Sequence, residues 1–343
     1  MFRCVLAGIA LVCLAVSCHQ PQGVDAYLED LHERGLLNGN VLIVRHDSIL
    51  YQRSFGYADP IAQRPLTAGH FFAIGSIQKE FPAAAILRLS EEGAVGLDTP
   101  IASYLRDLPA WSERVTARQL LQYSSGLPEV DWNHWFGKTE LPDQEAIVDS
   151  LRHVDELVFP AGTDYRYTNY SPFLLQRIVE EVTGLPFGVF LEEEFLYPHH
   201  IRGITLRDRF PYSDTTAMAL PFDEDFNMDD MAYRLTTVCV TSEGLYKWVR
   251  ELDNFSLLSK ASVRTLSEEA GPGDNVQAPL GRGDWSNEEL TLHLHHGSSH
   301  NFEALVRDHK PEGLIIVLLT NRKNGNLHEI ADELRRMVSA RHA

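Results

Sequence analysis

Strand-like segments lie at both ends of this chain and helix-like segments lie between them, and this block order limits the fold more than any other feature. Near the N-terminus, Val41-Leu42-Ile43-Val44 and Ile49-Leu50-Tyr51 are strand-like runs on either side of Arg45-His46-Asp47-Ser48, a hairpin pattern. Near the C-terminus, Leu290–Leu294, Glu303–Val306 and Leu314–Leu319 read the same way. Between them come Ile77–Glu92, a helix through Leu121 capped by Thr116, Gln144–His153, and Ser171–Thr183, which stops at Gly184. Segregated blocks predict an α+β fold rather than βαβ alternation. The terminal strands then share one antiparallel sheet. The amphipathic helices Val24–Leu37 and Leu327–Val338 cover one face of it. The middle block forms a mostly helical lobe, and the cleft between lobe and sheet is a natural place for a site. The expected division is a sheet region at about 24–75 and 275–340, with the lobe at about 76–274. A chain of 343 residues can bury a core of that size without disulfides.

Residues 1–17 read as an export signal. Arg3 precedes an almost unbroken apolar run from Cys4 to Val16, shorter than the roughly 20 residues a membrane-spanning helix needs. Ala15-Val16-Ser17-Cys18 resembles a bacterial lipobox, which would place a lipid on Cys18 of an envelope or periplasmic lipoprotein. An ordinary secretory signal cut nearby is the other reading, and both put the protein outside the cytoplasm. Cys239, in an apolar stretch, then has no cysteine left to pair with and reads as a buried small hydrophobe. Acidic residues outnumber basic ones by 48 to 30, which argues against a nucleic-acid partner. Membrane contact is expected only through the lipid anchor.

Three motifs carry chemistry. In Gly75-Ser76-Ile77-Gln78-Lys79, Ser76 opens a helix, where unpaired N–H groups favour developing negative charge. Lys79 shares its face. A buried lysine loses hydration, so its pKa falls and it can take the serine proton. The plainer alternative is a capping serine and a solvated lysine. In Tyr167-Thr168-Asn169, a phenol that can shuttle a proton sits beside an amide that can orient a carbonyl and bond the lysine; alone, such a pair also fits a core tyrosine and a turn asparagine. In His293-Leu294-His295-His296-Gly297-Ser298, His293 and His295 share one face of a strand. Gly297 admits a substrate against the strand edge, and the Ser298 N–H can donate to an oxyanion. His293, His295, His296 and His300 also cluster as metal ligands might, but no carboxylate motif at ligand spacing accompanies them, and no metal or cofactor is assigned. No G-x-S-x-G elbow occurs.

Together, in this order and spacing, the motifs resemble the serine β-lactamase and penicillin-binding-protein superfamily, in the branch of class C β-lactamases, DD-peptidases and related esterases. Leu120-Leu121-Gln122-Tyr123-Ser124-Ser125-Gly126-Leu127-Pro128 extends the likeness, which covers about residues 24–340. The resemblance implies an α+β sheet with a helical lobe. It also implies a Ser76 acyl-enzyme with Lys79 and Tyr167 as the basic pair, Asn169 orienting the substrate, and His295 where relatives carry lysine. The oxyanion hole would be the N–H groups of Ser76 and Ser298. A small-molecule or peptide substrate follows: an ester, amide, D-amino-acid peptide or β-lactam. The alternative is a catalytically weak relative that binds cell-wall peptide or a partner. It is motivated by three departures: Pro82 in the nucleophile's helix, Asn301 where glycine is usual, and Leu235–Val240 where a glycine-rich segment is usual. His295 should be mostly neutral at pH 7, shifted down by burial and by Lys79.

Overall fold

The computed structural model describes residues 23–131, 144–207, 212–228, 237–269, 271 and 276–340. The expected signal segment and Cys18 lie outside the described residues, as do Leu235 and Thr236. In chain order the strands are β1 (Gly39–Arg45), β2 (Ser48–Phe55), β3 (Tyr57–Asp59), β4 (Arg64–Pro65), β5 (Phe72–Ala73), β6 (Ile204–Arg207), β7 (Thr237–Val240), β8 (Arg282–Ser286), β9 (Glu289–Ser299), β10 (Phe302–His309) and β11 (Leu314–Thr320). The helices are α1 (Val24–Glu33), α2 (Glu80–Glu91), α3 (Ala117–Leu121), α4 (Gln144–Arg152), α5 (Tyr170–Thr183), α6 (Phe187–Leu191), α7 (Ser242–Asp253), α8 (Lys260–Leu266) and α9 (Leu327–Ser339).

The terminal strands do share one sheet. It is antiparallel, in the order β2-β1-β11-β10-β9-β8. The turn between β1 and β2 holds His46 and Asp47 at φ 46° and 62°, the twist that matches a tight hairpin. Alternation along the strands divides two cores. Val41, Ile43, Leu305, Ile316 and Leu318 pack with Leu28, Leu31, Ile330 and Leu334 of α1 and α9. Leu42, Val44, Ala304, Val306, Val317 and Leu319 face the other way, into the lobe.

The middle block is not purely helical. β6 and β7 join β5 in a second, three-stranded sheet. Cys239 lies in β7, fully buried with its thiol pushed up to about 12 by desolvation, which makes it an inert packing residue. The helix expected over Ile77–Glu92 is two helices in succession: a 3₁₀ turn over Gly75–Lys79, then α2. Pro82 therefore sits in the first turn of α2, where a missing N–H costs little, and does not interrupt a continuous helix beside Lys79. In the two-residue turn joining β9 to β10 the positive φ falls on His300, so Asn301 needs no glycine-like freedom.

α2 is the centre of the lobe. Every residue from Glu80 to Leu87 is buried, and it packs on α5 and α8. The run Ala83-Ala84-Ala85 lets those neighbours approach closely. Enlarging such a site forces side chains and backbone apart. Ala84→Leu should therefore cost about 1–3 kcal/mol in urea denaturation and loosen the Ser76 turn; unchanged stability would mean that α2 is not the packed axis of the lobe.

Candidate active site

Ser76, Lys79 and Tyr167 meet, as their motifs suggest. The 3₁₀ geometry matters here. With three residues per turn, side chains at i and i+3 eclipse, so Ser76 and Lys79 stack one above the other. Lys79 Nζ lies 3.3 Å from Ser76 Oγ. The Tyr167 hydroxyl, arriving from the loop before α5, donates to the same Oγ at 2.7 Å. Burial pushes Lys79 down to about 7, against an opposing pull from Glu129. Burial pushes Tyr167 up to about 12. The amine is thus the group that can exist as a free base near neutrality, while the phenol holds its proton.

The loop bearing Tyr167 is pinned by backbone and side-chain bonds to the Leu120–Pro128 segment. Arg166 N–H donates to the Tyr123 carbonyl at 2.8 Å, and Thr168 Oγ1 donates to the Pro128 carbonyl at 2.7 Å. The Tyr123 ring, held in the left-handed region at φ 54°, backs the Tyr167 ring at 4.8 Å. Sequence reasoning gave Tyr123 no role, although it stands in the segment that carried the resemblance. Asn169 stands at the N-cap position of α5 without a side-chain capping bond, and it lines a small cleft with Lys79, Gln78 and Phe173. Among the described residues its amide makes no hydrogen bond to Lys79.

The third motif closes the site through two glycines. β8 pairs with β9 only as far as Leu294, so the end of β9 turns its outer edge to the 3₁₀ turn. A methyl group on Gly297 would sit 2.1 Å from the Ile74 carbonyl oxygen and 2.7 Å from Ser76 N. One on Gly75, whose φ is +52°, would sit 2.4 Å from Ser298 N. Only two bare Cα atoms allow this approach, and it brings the amides of Ser76 and Ser298 to one contact. Ser76 N lies in the first turn of its helix, where N–H groups meet no carbonyl of that helix.

His293 and His295 share the buried face, as read from the strand pattern, and His296 lies on the opposite one, bonded to Glu303 at 2.8 Å. The three histidines of β9 are therefore split across the sheet, and His300 lies in the turn beyond it. What the sequence reading missed is Glu80, fully buried beside them. Its Oε1 lies 2.6 Å from His295 Nδ1 and 3.2 Å from His293 Nε2, and its Oε2 accepts from Trp248 Nε1 at 3.0 Å. His293 Nδ1 meets both oxygens of Asp253 at 3.0 and 3.1 Å. The signal was available: an acidic residue opening an otherwise apolar helix must find partners once buried. Glu80, His293 and His295 could in principle ligate a metal. Their spacing is that of hydrogen bonds; two ligands of one zinc ion sit roughly 3.3 Å apart, farther than 2.6 Å. Desolvation lowers His295, helped by His293 and Lys79 and opposed by Glu80, so the ring is mostly neutral at pH 7.

Residues 24–340 match the Beta-lactamase family. Among curated relatives, Penicillin-binding protein 4* of Bacillus subtilis (strain 168) is 32% identical over 180 residues, covering 51% of this chain and 39% of its own length. The chain spans 39% to 66% of the length of the first curated relatives it matches. Among solved structures, a penicillin binding protein from Bacillus halodurans superposes with a TM-score of 0.79 at 21% identity, over 92% of this chain and 99% of that one. D-amino acid amidase from Ochrobactrum anthropi SV3, complexed with L-phenylalanine amide, gives 0.75 at 20%, over 93% and 98%. At these identities the two structures establish the fold.

The protonation states give a direct test. The free amine of Lys79 is the form that can accept the Ser76 proton. Labelling of Ser76 by an uncharged fluorophosphonate should therefore accelerate as pH rises through about 7 and then level off. A rate that stays flat across that range would remove Lys79 from the role of base.

Proposed function

The chain belongs to the Beta-lactamase family, and from that premise we propose that it is a serine hydrolase that forms an acyl-enzyme on Ser76 with an acyl donor lacking a carboxylate, an amide or ester of a D-amino acid. One observation carries the reading: Ser76 Oγ is held between a phenol that keeps its proton and an amine that loses its own near neutrality. In acylation Lys79 takes the Ser76 proton as Oγ attacks the carbonyl carbon. The developing oxyanion is met by the N–H groups of Ser76 and Ser298. Tyr167 is placed to pass a proton to the leaving group, and Lys79 returns the balance. Water then releases the acyl group by the same steps in reverse order, with Asn169 orienting the substrate.

The preference for a donor without a carboxylate follows from charge. His295 is held toward its neutral form and Lys79 is only about half protonated at pH 7, so the pair supplies less counter-charge to a carboxylate than two fixed cations would. This favours amides and esters over β-lactams bearing a carboxylate. The printed name of the amidase neighbour supports the D-amino-acid class, and its likeness alone does not extend to substrate. Export and a lipid on Cys18 belong to the same reading, supported by the sequence of residues 1–18. The alternative of a non-catalytic binding protein loses part of its motive, since Pro82 lies beyond the Ser76 turn, in the first turn of α2.

Ser76→Ala should abolish turnover of a D-amino-acid amide and ester panel, to below about a hundredth of wild type, while leaving far-UV circular dichroism unchanged. Residual activity above that level would argue against covalent catalysis, and a wild type inert toward amides, esters and a cephalosporin alike would favour the binding protein. In a bacterial host, a palmitate analogue should tag the wild type and not Cys18→Ala; equal release of both into the soluble fraction would favour the plain secretory signal.

A further inference from the structure

Glu80, the buried carboxylate that follows Lys79, has no task in the mechanism above, and its surroundings suggest one. We propose that Glu80 is a positioning residue for His295: held from behind by His293 and Trp248, its carboxylate binds the Nδ1–H of His295 and leaves Nε2, on the far side of the ring, unprotonated and available to accept a hydrogen bond from the acyl donor. This rests on reading Ser76 as the nucleophile.

The argument is one of donors and acceptors. An ionised carboxylate only accepts. Glu80 is pushed down to about 2, chiefly by His293 and His295 acting against its desolvation. Every nitrogen that touches it must then bring a hydrogen. Trp248 Nε1 has nothing else to offer. His293 faces carboxylates from both nitrogens, Glu80 at Nε2 and Asp253 at Nδ1, so both nitrogens donate and the ring is the imidazolium; its pKa is raised well above the usual value. His295 meets Glu80 through Nδ1 at 2.6 Å. In its neutral form the single ring proton is therefore on Nδ1, and Nε2 carries a lone pair.

The charges around His295 hold it neutral. On its own strand stands His293, positively charged. From the 3₁₀ turn comes Lys79, from α2 the Glu80 carboxylate, and behind His293 on α7 stands Asp253. Asp308 lies across from His293 in β10, beside Asp253, and is pushed up to about 7 by burial and that neighbour. Glu80 favours protonation of His295, but burial, His293 and Lys79 prevail. Where a lysine in this strand would present a fixed positive charge and three donors, the Glu80–His295 pair presents an acceptor of fixed direction. That is a specificity element for a substrate with an N–H or O–H to give, and it matches a D-amino-acid amide, which has N–H donors and no carboxylate, better than a carboxylate.

The test reads the tautomer directly. Long-range nitrogen–proton spectra of the ¹⁵N-histidine-labelled full chain, with His295 assigned through His295→Gln, should show neutral His295 carrying its proton on Nδ1. A proton found on Nε2 in the wild type overturns the proposal without need of any variant. In Glu80→Gln the lost charge should move the His295 titration to lower pH and bring in the Nε2–H form. kcat on the amide should fall about 10–100-fold, and Glu80→Asp should recover part of that loss. An unchanged tautomer and midpoint in a folded Glu80→Gln would equally overturn it. Fluorophosphonate labelling of wild-type Ser76 is scored separately: its failure refutes the hydrolase reading and leaves the tautomer result standing.

Discussion

The contact between the end of β9 and the Ser76 turn is the constraint on which the rest depends. Two glycines, Gly75 and Gly297, face each other across it, and neither position has room for a single methyl group. The approach joins the sheet region to the helical lobe at backbone level. It is why the two amides that can meet an oxyanion come from segments more than two hundred residues apart. It also depends on β9 extending past the end of β8, which leaves its edge open at this point. A backbone-built anion site of this kind needs no side chain to hold it. Side-chain substitutions around it can therefore alter substrate choice without dismantling the reaction centre.

Burying two consecutive ionisable residues, Lys79 and Glu80, sets the electrostatics. The two resolve the cost of desolvation in opposite ways. Lys79 has no buried carboxylate bonded to it among the described residues, and its pKa falls to about 7. Glu80 has three nitrogen donors, one of them on an imidazolium, and stays charged. The difference follows from direction along the helix. At one side of the 3₁₀-to-α junction Lys79 points up beside Ser76 and under the Tyr167 ring, 4.9 Å from its centre. At the other Glu80 points down among Trp248, His293 and His295. A single turn of backbone thus separates an amine that can lose its proton near neutrality from a fully satisfied anion.

Most of the fold was legible in the sequence, because apolar alternation and helix punctuation are local signals. The terminal strands had to share a sheet, and they do. The Thr116 cap and the stop at Gly184 are both present, the latter with φ 71°. Less legible was the start of the nucleophile's helix. Nothing in Gly75–Lys79 itself distinguishes a 3₁₀ turn from an α-helix, and the one local hint, Pro82 denying a bond to the Gln78 carbonyl, lies beyond it. The strands β6 and β7 were hidden within the helical middle, since they are short and pair across long separations. The sequence motifs named Ser76, Lys79 and Tyr167, which the fold brings together, but not the residues packed behind them. Tyr123 acts through ring packing and backbone bonds and Trp248 through packing and one side-chain bond, which sequence spacing does not record.

The histidine in the third motif ties these points together. Viewed alone, His295 is a lysine replaced by a weaker cation, and the site looks like a degraded version of its relatives'. In the folded chain the replacement is matched by others: a carboxylate two helical positions from the proline, an imidazolium behind it, and an aspartate behind that. A lone neutral imidazole in a dry pocket would be free to take either tautomer and would lose specificity. Three successive hydrogen-bonded partners remove that freedom, and each of them must be buried to do so. The polar chain beneath the site is costly to fold around, since every member needs its partner to offset desolvation. Its completeness argues that, on the proposed reading, His295 is a built component of the site, and that the departure from the lysine-bearing pattern concerns recognition while Ser76, Lys79 and Tyr167 stay in mutual contact.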